Sequence, residues 1–181
     1  MQSNIVFTLT GTDRIGIVEE VTGLLLDLGG NVETSRMSRL GGEFAIILLV
    51  SVSADRMDGL EAVVRNLTAQ GFKVTSCATE KTYAEAHSGW RSHRIEVHGA
   101  DHEGIIHEIA QTLSRQGISI ESIETETSQA PETGASLFAM TANVIAPPNR
   151  LGKDWEEDLI AVGKSLNVDI RVTIAKQPAI V

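Results

Sequence analysis

The feature that most constrains this chain is a repeat. Gly11-Thr12-Asp13-Arg14-Ile15-Gly16-Ile17-Val18 returns 88 residues later as Gly99-Ala100-Asp101-His102-Glu103-Gly104-Ile105-Ile106. The same offset aligns Val21 with Ile109, Leu25 with Leu113, Gly29 with Gly117 and Val32 with Ile120. A match that persists through a turn, a helix and the start of the next segment means two copies of one supersecondary unit. In a chain of 181 residues it implies two domains of roughly 85–90 residues, each large enough for a modest core. The expected bounds are 1–80 and 93–181, with a linker over 81–92.

Within the first copy, Ile5, Phe7 and Leu9 alternate with Val6, Thr8 and Thr10, the period-2 pattern of a strand, expected at about 3–10. Ile17, Val18, Val21, Leu24, Leu25 and Leu28 then form one helical stripe, closed by Gly29-Gly30. Asn31 to Ser38 reads as a strand polar on one side, and Leu40-Gly41-Gly42 as a turn. Phe44 to Val50 is an unbroken apolar run, which predicts a strand covered on both faces. Helices would cover one face, and the second unit or a second chain the other. Met57, Leu60, Val63, Val64 and Leu67 make a second helical stripe ending at Gly71, and Phe72 to Thr79 a closing strand. The order β-α-β-β-α-β is the ferredoxin-like split βαβ pattern: a four-stranded antiparallel sheet with two helices on one face, of class α+β.

Glu80 to Ser92 breaks the periodicity and is mostly polar, with Tyr83 and Trp90 as candidate anchors. After it the pattern resumes. Ile95 and Val97 mark a strand, Ile105, Ile106, Ile109 and Leu113 a helix ending at Gly117, and Ile118 to Thr127 a second strand. Ser128 to Gly134 is a longer turn than its counterpart. Leu137 to Ile145 returns as a strand, Pro147-Pro148 forces a loop, and Trp155, Leu159, Val162 and Leu166 are helically spaced. Val168, Ile170, Val172 and Ile174 should share one side of the last strand.

Composition narrows the function classes. No apolar run reaches the ~18 residues of a membrane span, and the N-terminus lacks a basic segment followed by an apolar stretch, so no secretory signal is visible and a cytoplasmic protein is expected. Cys77 is the single cysteine, which rules out an internal disulfide or a cysteine-only metal cluster; it is expected to pack as a small hydrophobe in a strand. A formal net charge of −9 repels nucleic acid, and Arg36 with Arg39, or Arg91 with Arg94, is too sparse to form a basic face.

The repeated turn carries two glycines at the spacing of a phosphate-binding P-loop. Ile17-Val18 and Ile105-Ile106 stand where that loop needs Lys and Ser/Thr, so the chemistry is absent. What remains is an acidic turn opening a helix. Asp13 and Asp101 are candidate N-caps, and a glycine in the first turn leaves backbone donors uncovered, so that the helix start can hold a carboxylate. Two readings stand side by side: a ligand site, or aspartates that only cap and glycines that only permit close helix-on-sheet packing.

Other candidates for chemistry fail on spacing. His102 and His107 lie at i and i+5, whereas a helical zinc pair needs i and i+4. His98 and His102 have a chance of approaching one another, but His93, His98, His102 and His107 read more simply as solvated residues. Cys77 has no histidine nearby in sequence, and neither turn matches Gly-x-Ser-x-Gly. Glu19, Glu20, Glu124 and Glu126 lie on polar faces and read as solvated charge. No catalytic residues, metal ligands or cofactors are expected.

A βαββαβ unit whose first turn reads Gly-x-Asp-Arg-x-Gly-Ile-Val, followed by Leu-Gly-Gly-Asn-Val at the next strand, resembles the ACT domain, a regulatory module that binds amino acids. Ile15 and Glu103 stand where ACT turns often have proline. The two-unit layout looks like the glycine cleavage system transcriptional repressor group. The resemblance implies a ligand site of Asp13, Arg14, Ile15, Gly16, Ile17 and Asn31 in the first unit, and of Asp101, Glu103, Gly104, Ile105 and Ser119 in the second. Asn31 matches an asparagine that commonly contacts ligand, and Ser119 departs from it. It also implies an amino-acid sensor, with glycine a candidate ligand, that acts through a DNA-binding activator protein without touching DNA itself. A homodimer is expected on separate grounds, from the apolar residues on both faces of Phe44 to Val50. The alternative is a freestanding regulatory subunit that conveys amino-acid feedback to a metabolic enzyme.

Overall fold

The computed structural model describes residues 2–79, 87–150 and 154–175. It divides into two compact units at residues 86 and 87. Unit one runs β1 (Gln2–Thr12), α1 (Ile17–Asp27), β2 (Asn31–Leu40), β3 (Glu43–Ser53), α2 (Met57–Ala69) and β4 (Lys73–Thr79). Its sheet has the strand order β2-β3-β1-β4, with every neighbour antiparallel. Unit two repeats it as β5 (Arg91–Ala100), α3 (Ile105–Arg115), β6 (Ser119–Gln129), β7 (Ser136–Ala146), α4 (Asp154–Ser165) and β8 (Val168–Ile174), in the order β6-β7-β5-β8. The expected α+β class and ferredoxin-like architecture are therefore observed in both units. β5 begins at Arg91, and the candidate anchor Tyr83 lies outside the described residues; Trp90 meets His87 edge-on, ring centroids 4.8 Å apart.

One alternation builds each core. Ile5, Phe7 and Leu9 of β1 and Ile46, Leu48, Val50 and Val52 of β3 are buried with Ile17, Val21 and Leu25 of α1 and Leu60, Val63 and Leu67 of α2. In unit two, Ile95, Val97, Met140, Ala142 and Val144 pack with Ile109, Leu113, Trp155 and Leu159. Each fully buried leucine or isoleucine of this kind contributes roughly 1.5–3 kcal/mol by removal from water.

The apolar run of β3 has the helix-covered face that was expected of it. Ile46, Leu48 and Val50 are buried, while Ala45 is exposed and Ile47 keeps 47% of its surface in this chain. Period 2 sends the intervening side chains to the face away from the helices. Cys77, paired with Val6 across β1, falls on that same face and is exposed, not packed. Ile174 is likewise 70% exposed at the end of β8, although Val168 on the same side of that strand is buried.

His93 and Glu20 depart from the solvated reading, whereas His98 and His107 are exposed as expected. His93 is buried, its ring edge-on to Trp155 with centroids 5.1 Å apart and Nδ1 3.1 Å from the Arg91 carbonyl oxygen. The i, i+62 separation of that ring pair left no local signal. Among the described residues no group of three or more His, Cys, Asp or Glu is placed to hold a metal ion, and no helix is long and apolar enough to cross a membrane.

Candidate functional site

The helix start in each unit is opened by glycine, not by aspartate. Gly16 is the N-cap of α1 at φ 89°, and Gly104 that of α3 at φ 93°, neither helix having a side-chain cap. Arg14 and Ile15 intervene between Asp13 and this cap, so its carboxylate is too far back to reach the first amides. Asp13 instead donates its N–H to the Gly42 carbonyl at 3.0 Å and faces Arg39 at 3.4 Å. Asp101 donates its N–H to Ser136 O at 2.9 Å and accepts from Ser136 Oγ at 3.1 Å. The aspartates thus fasten the turn to the neighbouring hairpin, and the expected capping role is corrected.

The glycines separate into two kinds. A Cβ built on Gly16 or Gly104 meets nothing within 4 Å, so close packing does not explain them; the left-handed backbone does. At Gly11 a Cβ would stand 2.5 Å from Phe72 Cδ1, and at Gly99 2.7 Å from Val168 Cγ1. Close packing is the business of these earlier glycines.

The first intrahelical bonds are Glu20 N–H to Gly16 O at 2.9 Å and Glu108 N–H to Gly104 O at 3.0 Å. Helix geometry leaves the amides before Glu20 without an intrahelical acceptor, and Ile17 N–H reaches only the Arg14 carbonyl, at 3.5 Å. These donors, at the positive end of α1, are suited to a carboxylate. Ile15 stands at the tip of the turn, fully exposed, and its counterpart Glu103 is exposed as well.

Arg14 is turned back on its own unit. It pairs with Glu20, donates to Gln70 Oε1 at 2.8 Å and lies 5.4 Å from the centroid of Phe72. Gln70 Nε2 also donates to Glu20 Oε1 at 2.6 Å. Gln70 first, and Arg14 after it, hold the Glu20 carboxyl below its ordinary value, so this acid is a structural partner of the turn and not merely solvated charge.

Asn31 belongs to a second cluster. Its Nδ2 donates to Glu33 Oε1 at 2.9 Å, and the buried Ser51 donates to the same oxygen at 2.6 Å. Ser51 and then Asn31 keep the Glu33 carboxyl lowered. A bulge between Val32 and Thr34 sits at this point, and the second unit has one between Ile120 and Ser122. Beside the cluster a shallow groove of about 420 Å³ is lined by Glu19, Thr22, Gly23, Leu26, Gly30, Asn31 and Val32. Glu33, Ser51 and the groove were missed from sequence; the polar Ser51 closing an apolar run was the one available signal.

Within one unit the turn and Asn31 are far apart. Asn31 pairs with Ser51, and Ser51 with Asn4 near the start of β1, whereas the turn follows Thr12 at its end. At about 3.3 Å per residue the two lie roughly 25 Å apart along the sheet. Ser119, opposite Ile145 in the second unit, is separated in the same way from Gly104.

The comparisons with known proteins agree with this architecture. ACT-domain profiles match residues 3–75 and residues 93–150. The glycine cleavage system transcriptional repressor of Escherichia coli (strain K12) is 38% identical over 63 residues, 35% of this chain and 33% of the repressor, so the match spans about a third of that relative's length. A crystal structure of an unknown protein from Galdieria sulphuraria is 30% identical, with a TM-score of 0.81, over 97% of this chain and 100% of its own. Another, provisionally assigned as a glycine cleavage system transcriptional repressor, shares the fold at 22% identity and a TM-score of 0.72, over 98% of this chain and 99% of its own. With the βαββαβ unit observed twice and each copy matched in turn, the chain belongs to the ACT-domain family and carries two ACT domains in tandem.

Proposed function

We propose that the chain is an amino-acid-sensing regulatory protein resembling the glycine cleavage system transcriptional repressor, acting through a DNA-binding partner protein and not by catalysis. The observation that carries the sensing role is the glycine-opened helix start, repeated in both ACT domains, with backbone donors left over for a carboxylate. The net charge of −9 favours a protein partner over direct contact with duplex.

The ligand is assigned to the first domain, with its carboxylate on the amides after Gly16. An ammonium suits the Asn31, Glu33 and Ser51 cluster, whose carboxylate is already flanked by donors. Because these halves lie at opposite ends of one domain, the complete site requires two domains side by side in opposite senses, the turn of one reaching Asn31 of the other. A second copy of the chain is the occupant we infer. β2 is the outermost strand of its sheet, and Leu26 beside the groove and Leu40 at the strand's end keep 70% and 78% of their surface.

A thermal-shift screen of the full chain against the twenty amino acids tests sensing, since a ligand selective for the folded state raises its apparent stability. If none shifts the melting temperature, sensing is overturned. Subunit mixing then tests the shared site. Asn31→Ala and Gly16→Ala chains should each bind poorly alone, while random mixing restores roughly a quarter of the sites, one per heterodimer. No recovery would place the site within one copy. Capture of a transcription factor in a pull-down supports the partner assignment, and capture of a biosynthetic enzyme would replace it with feedback control of that enzyme.

A further inference from the structure

Position 14 of the first domain and position 102 of the second are equivalent in the repeat, and each reaches from the strand-to-helix turn to the end of its domain's second helix. Arg14 does so through the Gln70 side chain. His102 does so through the Leu166 carbonyl, at 2.7 Å from Nε2, while its Nδ1 lies 3.0 Å from the Glu103 carbonyl. A carbonyl oxygen only accepts, so both contacts are hydrogen bonds only when both ring nitrogens carry protons, which is the imidazolium. The neutral ring has one N–H and turns the lone pair of its other nitrogen toward a carbonyl oxygen, whichever tautomer forms. With Nε2 protonated the turn loses its hold on Glu103; with Nδ1 protonated the tie to Leu166 is lost.

We propose that the turn opening α3 in the second domain is latched by a proton on His102, where the first domain uses the permanent charge of Arg14. The latch stands on the geometry of the turn and does not depend on what the turn binds. Charged and titratable groups along the joined segments are Asp101 and Glu103 on the histidine's own turn, His107 and Glu108 in the first turn of α3, Lys164 and Asp169 on either side of Leu166, and His98 of β5, which pairs with Asp169. The Leu166 carbonyl first, then that of Glu103, with a further contribution from the Asp101 charge, raise the ring above the ordinary 6.5 of imidazole against the desolvation that opposes it. A raised folded-state value means that the restraint is complete below the ordinary value and is lost as pH rises through the raised one.

Heteronuclear NMR of the full chain across pH 5–9 tests this without any variant. His102 should titrate above 6.5, with both ring nitrogens protonated below its midpoint. The amides of residues 101–104 and 166–168 should shift with that same midpoint. In His102→Arg those amides should lose the transition that follows the His102 midpoint. A His102 midpoint at or below 6.5, turn amides that ignore it, or an unchanged midpoint in His102→Arg would each overturn the latch.

Discussion

Gly11→Ala puts the close approach of β1 to Phe72 to a quantitative test. The new Cβ would stand 2.5 Å from Phe72 Cδ1, 3.1 Å from Cε1 and 3.5 Å from Phe72 Cα. Ordinary carbon contacts fall near 3.5–4.0 Å, so the ring must retreat by about 1 Å. Phe72 is only 6% exposed, which gives it little room, and the retreat also draws it from beneath Arg14. Overpacking of this kind costs about 1–3 kcal/mol, and replacing a strand glycine by alanine returns about 0.5–1. The net expectation is a loss centred on ~1 kcal/mol, within about 0–2.5, at roughly 4–8 °C per kcal/mol for a domain of this size. Gly99→Ala should lose more, because there the obstacle includes Val168 Cα at 3.0 Å, and backbone cannot rotate aside. Denaturant and thermal unfolding of the full chain by circular dichroism read both, with Phe72→Leu as the partner change. The double variant Gly11→Ala, Phe72→Leu should be less unstable than the sum of the single variants, by ~0.5 kcal/mol or more. Strict additivity, or a Gly99→Ala milder than Gly11→Ala, would refute the reasoning.

Gly16→Ala should cost about 1 kcal/mol, since the left-handed backbone costs an L-residue ~1–2 and the stiffer unfolded chain offsets ~0.4–1; Gly16→Asn should cost less, and the ranking is read from the same melts. Glu33, held low by Ser51 and Asn31, contributes stability that is present above its ordinary value and lost as pH falls through the lowered one. Acid titration of melting temperature should therefore show a weaker acid loss in Glu33→Gln than in the parent chain. Cys77 is exposed and should react fully with a thiol reagent in the native state, at a rate unaltered by mild denaturant; slow or partial reaction would mean that its face of the sheet is covered in solution.

The fold was legible because two independent periodicities agreed with the repeat. Period 2 located β1 and β3, the helical stripe located α1 and α3, and the paired glycines marked both ends of each helix. What the pattern could not supply was which face of a strand is covered. Phe44 to Val50 reads as apolar throughout, and the helices cover alternate members of it as expected; Cys77 was the misread residue, because period 2 puts it on the opposite face. Capping was misread on similar grounds. Asp13 is the residue type that caps, but Arg14 and Ile15 separate it from Gly16, and a left-handed glycine took the role without a side chain. The His93–Trp155 and Arg14–Gln70 contacts join residues more than fifty positions apart and leave no local trace.

The candidate site shows a different limit. Asn31 and Gly16 are close in sequence, and the family resemblance groups them, but α1 runs back along the whole sheet between them. Sequence proximity therefore concealed a separation of roughly 25 Å, and that separation turns the shared motif into an argument about assembly. It also explains why the two domains need not behave alike. In the first, Asn31 and Ser51 both donate to Glu33, and the turn is held by Arg14, whose charge no physiological pH removes. In the second, Ser119 and Ile145 occupy the places of Asn31 and Ser51, and the turn is held by His102, whose charge is conditional. The substitutions fall at the two opposite ends of the domain. A change confined to one end would alter how one contact is made; changes at both alter each half that a two-domain site would draw on, so the repeat preserves the scaffold while the first domain alone keeps the donor set proposed for the ligand.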